Sequence, residues 1–188
     1  VTRIGPSQCE HVLFVTSATH GIEGYCGSGI QVGLLAEAKD MLREQRVAMV
    51  LIHALNPYGF AWGRRVNEDN VDLNRNFVDH AGGNFPENDL FEVVADAMIP
   101  AQLDEAHMAA CEARIEAARV EHGVVEIRKA MGKGQYRHPT NMAFGGTHAT
   151  WSNRTLHDIC RAHLEGARTG TLIDLHSGLG PYGYGELM

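Results

Sequence analysis

The chain has 188 residues, 44% of them apolar and 21% charged, and a formal net charge of −7. This is enough chain for one soluble domain with a core, and the acidic balance excludes a nucleic-acid partner gripped through its phosphates. No apolar run reaches the length of a membrane span, so no membrane partner is expected. The four cysteines (Cys9, Cys26, Cys111, Cys160) are widely spaced with no C-x-x-C pair. They read as free thiols in a reducing, cytoplasmic compartment.

Val12-Leu13-Phe14-Val15 is apolar, β-branched and aromatic, and predicts a buried strand. The small polar stretch Thr16 to Thr19 follows, and then His20. A helix is expected from about Ser28, where Ser28 and Gln31 fit a capping box and Ile30, Leu34, Leu35, Ala38, Met41 and Leu42 recur at helical spacing. Val47 to Ile52 is a second buried strand, and Asn56-Pro57-Tyr58-Gly59 is turn chemistry. Strand, helix and strand in about forty residues suggest a βαβ unit and a largely parallel sheet. Residues 61–86 read as a long polar loop, a type that is usually functional or disordered. Helices are expected at 89–98, at about 101–131 (a solvated, peripheral helix or hairpin) and at 154–168, with an irregular stretch at 132–153. Thr171 to Leu175 is a third strand with His176 at its end, followed by glycine-rich sequence.

His20 and His176 thus both sit beyond buried strands, where open α/β sheets bind their ligands. Glu23, three residues after His20, can be aimed at the same point by a tight turn. Two imidazoles and a carboxylate suit a catalytic zinc ion with an open fourth position. Alone, H-x-x-E is a weak signal: His20 could be a loop histidine and Glu23 a helix cap. His53 also follows a strand and is a spare candidate, while His107, His122, His157 and His163 fall on helical stretches and read as surface or packing residues. A phosphate loop is a poor rival, because there is no G-K-[ST] and Gly27, Gly29 and Gly33 miss the G-x-G-x-x-G spacing by one residue. Ser177 beside His176 lacks a G-x-S-x-G elbow, which argues against serine catalysis.

The segment Asp72-Leu73-Asn74-Arg75-Asn76-Phe77, preceded by Arg64-Arg65, is by composition only a polar loop. Its order in the chain is more telling: His20/Glu23 comes first, then the arginines and this segment, then Leu175-His176-Ser177. The pattern resembles the zinc carboxypeptidase (M14-like) superfamily, and within it the bacterial branch DUF2817. The Asn56-Pro57-Tyr58-Gly59 turn fits as well, and the resemblance runs from about Val12 to Tyr184.

The resemblance implies an α/β fold with three α/β/α layers around a mostly parallel mixed sheet. It implies a single catalytic domain over 1–188, with a peripheral helical insertion at about 100–131. His20, Glu23 and His176 match the zinc ligands. Arg65, or alternatively Arg64, matches the arginine that stabilises the oxyanion, and Asn74 and Arg75 match the pair that grips a substrate carboxylate. The expected function is zinc-dependent hydrolysis of an amide bond next to a free carboxylate, with a peptide as substrate. An N-acyl amino acid deacylase of the aspartoacylase-like type and a non-catalytic zinc- or peptide-binding module are the alternatives. The superfamily's general-base glutamate matches no residue here, since Glu186 lies in a glycine-rich loop. The chain is expected to be the N-terminal part of a longer domain, its base beyond residue 188, with a short form lacking peptidase activity as the alternative.

Overall fold

The computed structural model describes residues 1–178 and 180–187. The chain divides into two compact units, one formed by residues 1–65 and 154–188 and the other by residues 66–153.

The first unit is built on a four-stranded sheet of β1 (Thr2–Ile4), β2 (His11–Ser17), β3 (Val47–Ile52) and β4 (Thr169–Leu175), in the order β1-β3-β2-β4. β2 runs parallel to β3 and to β4, and β1 is antiparallel to β3. This α/β architecture with a mostly parallel mixed sheet agrees with the expected fold class. The three apolar runs became β2, β3 and β4, with β4 starting two residues earlier than its apolar content suggests.

In register, Leu13 and Val15 stand beside Met49 and Leu51. Alternation puts these four on one face. There Val15, Met49 and Leu51 form a buried cluster with Ala38 and Leu42, and Leu34 and Leu35 pack against it. The helical residues come from α1 (Gly24–Glu37) and α2 (Lys39–Glu44). Full burial of a Leu or Val is worth about 1.5–3 kcal/mol, and on the opposite face Val12, Phe14, Val50 and Ile52 are buried as well.

β4 is different. Leu172 is 46% exposed and Ile173 38% exposed, and they lie on opposite faces of the strand.

The expected capping box at Ser28 is overturned. The helix begins at Gly24, after a 3-10 turn at Gly21–Glu23, so Ser28 is in its interior. Gln31 is buried and donates to the Val15 and Ile52 carbonyls instead of capping. Glycines hid the helix start because they are poor helix formers, yet bulk is excluded there. A Cβ on Gly24 would lie 2.7 Å from Phe60 Cδ2, and one on Gly27 would lie 2.7 Å from Ser17 Cβ. The Asn56 turn continues into α3 (Pro57–Trp62), capped by the Asn56 side chain accepting from the Gly59 N–H.

The second unit holds α4 (Leu73–Asn76), α5 (Asp89–Met98), α6 (Glu105–His122) and α7 (Val124–Lys133). Val94, Ala118 and Ile127 form the core of the last three. Of the helix or hairpin expected at about 101–131, the hairpin is found: two helices, parted at Gly123, whose φ of +92° suits glycine. The polar loop expected at 61–86 contains the short α4 and the end of α3. α8 (Trp151–Leu164) begins three residues before its expected start.

Candidate metal centre

The site is assembled at the carboxyl ends of β2 and β4. After β2 the chain turns sharply at Ala18, a buried residue held at φ +60°. That conformation is uncommon for a residue with a Cβ and recurs at functional sites. The turn is pinned by Leu55 N–H donating to the Ser17 carbonyl and Asn56 N–H to the Ala18 carbonyl, both at 2.9 Å. His20 then leads into the 3-10 turn, in which Glu23 N–H bonds back to the His20 carbonyl at 3.1 Å. This turn brings the His20 and Glu23 side chains together.

Glu23 is the hub. Its Oε1 lies 2.9 Å from His20 Nδ1, and its Oε2 lies 3.2 Å from His176 Nδ1. Ser177 N–H donates to Oε2 at 2.8 Å. The two imidazole rings stand 5.0 Å apart, tilted by 59°. One donor atom from each of His20, Glu23 and His176 lies within 4.8 Å of the others. His20 is 3% exposed and the His176 side chain 28% exposed, so the group is walled on one side and open on the other.

The group could hold a metal ion, and two imidazoles with a carboxylate are a donor set whose chemistry suits zinc. Ligand atoms around a tetrahedral zinc, bound at about 2.0–2.2 Å, stand about 3.3–3.6 Å apart. The 2.9 and 3.2 Å separations are shorter than this and run to two different Glu23 oxygens, so the side chains would move apart to admit an ion. These three residues are the ones singled out from the sequence.

Behind His176 stands Asp174. Its Oδ2 lies 2.8 Å from His176 Nε2, and its Oδ1 accepts from the hydroxyls of Thr16 at 2.5 Å and Thr19 at 2.8 Å. Burial pushes the Asp174 carboxyl up, but the bonds from His176, Thr16 and Thr19 outweigh this and hold it below its ordinary value. The Asp174 bond raises His176; burial opposes it, and the Asp174 and Glu23 charges add to the rise. A carboxylate on the far nitrogen is the usual partner of a metal-binding histidine, fixing its ring and raising its basicity. From sequence alone Asp174, two residues before His176, reads only as a supporting or turn residue. Nothing marked Thr16 and Thr19, because threonine at a strand end is also simply a good strand former.

Of the two candidate arginines, Arg65 reaches the site. Its Nη1 lies 3.6 Å from Glu23 Oε1, and its side chain is about half exposed.

Asn74 and Arg75 belong to the second unit and are held by local bonds. The Asp72 carboxylate caps α4 by accepting from Asn74 N–H at 3.1 Å. Arg75 Nη2 donates to the Gly132 carbonyl at 2.7 Å, at the end of α7. A cation there satisfies a free helix-end carbonyl and opposes the helix dipole. Arg75 Nε is buried without a hydrogen-bond partner. The Arg75 carbonyl accepts from the Tyr136 hydroxyl at 2.6 Å.

The neighbouring Asn76 is the polar centre of the second unit. It is fully buried, donates to the Gly145 and His148 carbonyls, and accepts from Thr150 N–H and Oγ1. Sequence gave Asn76 no role of its own.

All four cysteines are free thiols. Among the described residues no helix is long and apolar enough to cross a membrane. A comparison with curated proteins found no match. The family model described as "Protein of unknown function (DUF2817)" matches residues 1–188, so the chain belongs to the DUF2817 family.

Proposed function

We propose that this protein is a zinc-dependent hydrolase of amide bonds, related to the M14-like carboxypeptidases. One observation carries the reading: His20, Glu23 and His176, far apart in sequence, converge within ligand distance of one point. His20, Glu23 and His176 would hold the ion, with Asp174 fixing the His176 ring from behind. A bound zinc ion supplies Lewis acidity, which polarises a carbonyl and acidifies a water.

Arg65 stands beside the Glu23 carboxylate. Once that carboxylate is committed to the ion, the Arg65 guanidinium is placed to meet negative charge growing on a carbonyl oxygen. A preorganised donor of this kind is typically worth about 2.7–4 kcal/mol. Asn74 and Arg75 are proposed to grip the free carboxylate of the substrate, for which the planar guanidinium fork is suited. The M14-like resemblance assigns the water's proton to a glutamate carboxylate that matches no residue of this sequence. The four free thiols support a cytoplasmic setting.

An N-acyl amino acid deacylase would use the same residues. A metal-binding module without turnover is favoured by a separate observation, the bond from Arg75 Nη2 to the Gly132 carbonyl, which gives that arginine a structural task.

The test is an assay of the zinc-loaded full-length protein on peptides with free and amidated C-termini and on N-acyl amino acids. Cleavage of free-carboxylate substrates only supports the proposal, and the preferred substrate separates peptidase from deacylase. Equal cleavage of amidated peptides removes the carboxylate role of Arg75. Bound zinc without turnover on any substrate leaves the module.

A further inference from the structure

Beside the metal ligands, three rings form a continuous ledge. Tyr25 and Phe60 have centroids 4.8 Å apart, and Phe60 and His53 have centroids 4.8 Å apart, edge to face. These are favourable aromatic geometries. Phe60 sits over Gly24, the residue between Glu23 and Tyr25, at a distance that only a glycine tolerates. Tyr25 is 63% exposed, and the neighbouring Ile22 is 56% exposed. The ledge therefore offers apolar surface to solvent within two residues of Glu23 on either side.

A buried hydrogen-bond chain sets the polarity of its inner end. Gln31 Nε2 donates to the Val15 carbonyl at 2.8 Å and to the Ile52 carbonyl at 3.2 Å, which fixes the amide orientation. Gln31 Oε1 must then accept, and it does so from Ser17 Oγ at 3.1 Å. With its proton committed to Gln31, the fully buried Ser17 can only accept from His53 Nδ1, 2.9 Å away. The neutral His53 imidazole therefore carries its proton on Nδ1, and Nε2, at the other end of the ring, is an acceptor. Among the described residues no hydrogen bond reaches that atom, and His53 is an exposed residue.

We propose that Tyr25, Phe60 and His53 form a binding site for an aromatic or bulky apolar group that carries an N–H donor. The ring faces take the apolar part and His53 Nε2 accepts the N–H. An anionic group is disfavoured at that end, because its lone pairs would meet the lone pair of Nε2. Identifying this ligand with the side chain and amide of a substrate rests on the hydrolase reading, whereas the binding itself does not.

The test is an NMR titration of the metal-free 188-residue protein, comparing N-acetyl-L-tryptophanamide with N-acetylglycinamide. Saturable shifts at Tyr25, Phe60 and His53 with the first probe but not the second are expected. Tyr25→Ala, which removes an exposed ring, should weaken binding roughly three- to tenfold. Equal shifts from both probes, or unchanged affinity in Tyr25→Ala, overturns the site. His53→Phe keeps a ring and removes the acceptor, so unchanged affinity there overturns the role of Nε2. Because no metal is present, failure here is separate from failure of the zinc proposal, which zinc titration of the same sample reads directly.

Discussion

Two polar clusters, one in each unit, show how similar residue types come to opposite ends. The Asn76 side chain and carbonyl are both matched inside the fold. Its amide is bonded to Gly145, His148 and Thr150, and its carbonyl accepts from Asn153 Nδ2. Around Glu23 two histidines crowd one carboxylate from a partly open side. The first arrangement is complete as it stands and fixes a loop. The second concentrates donor atoms beyond what local folding needs, and fits a cation.

The largest effect that sharpens this contrast should come from Asn76→Ala. Losing the side chain strands several buried groups, each at a cost of about 1–3 kcal/mol. A loss of about 3 kcal/mol or more in urea unfolding is expected, with helical signal lost from the second unit. A change under 1 kcal/mol would break the contrast. His176→Ala should do the reverse, costing metal-free stability much less than Asn76→Ala while lowering zinc affinity a hundredfold or more, on the order of a lost ligand. Calorimetric titration and thermal unfolding of one sample read both.

These two residues also show what the sequence makes legible. His20, Glu23 and His176 stand out because chemistry-bearing residues follow apolar runs that can only be buried strands. The helix expected at 89–98 matches the bounds of α5. β1 was not expected, since Thr2–Ile4 is three residues long and owes its strand form to pairing with β3. The start of α1 was obscured by Gly24 and Gly27, which are there for close packing rather than helix propensity. The Asn74-Arg75 segment stood out by resemblance, but Arg75 and the neighbouring Asn76 are also held by Gly132 and Asn153, 57 and 77 residues away in sequence. No local pattern encodes partners that distant.

Asp174→Asn tests the support behind His176. Loss of such a partner typically costs 10- to 100-fold in metal affinity. It should also alter the pH dependence of metal-free stability. His176 is raised, so its contribution is full below its ordinary value of 6.5 and fades as pH rises through the raised value. Asp174 is lowered, so its contribution is full above 3.8 and is lost as pH falls through the lowered value. The stability gap between parent and Asp174→Asn should therefore be widest between those two pH values and narrow on either side. A gap that is flat with pH contradicts the pairing.

The smallest structural effect is expected for Arg75→Lys. It keeps the charge at the end of α7 but loses the fork. Thermal stability should change little, while kcat/KM on free-carboxylate substrates falls at least tenfold. Equal small losses in both would leave Arg75 with its helix-end task alone.

The most direct measurement is zinc titration calorimetry on protein purified without chelators and then stripped of metal, with His20→Ala and His176→Ala beside it. One zinc per chain, lost in both variants, is the predicted result. No zinc uptake by the parent, or uptake undiminished in both variants, contradicts the metal centre.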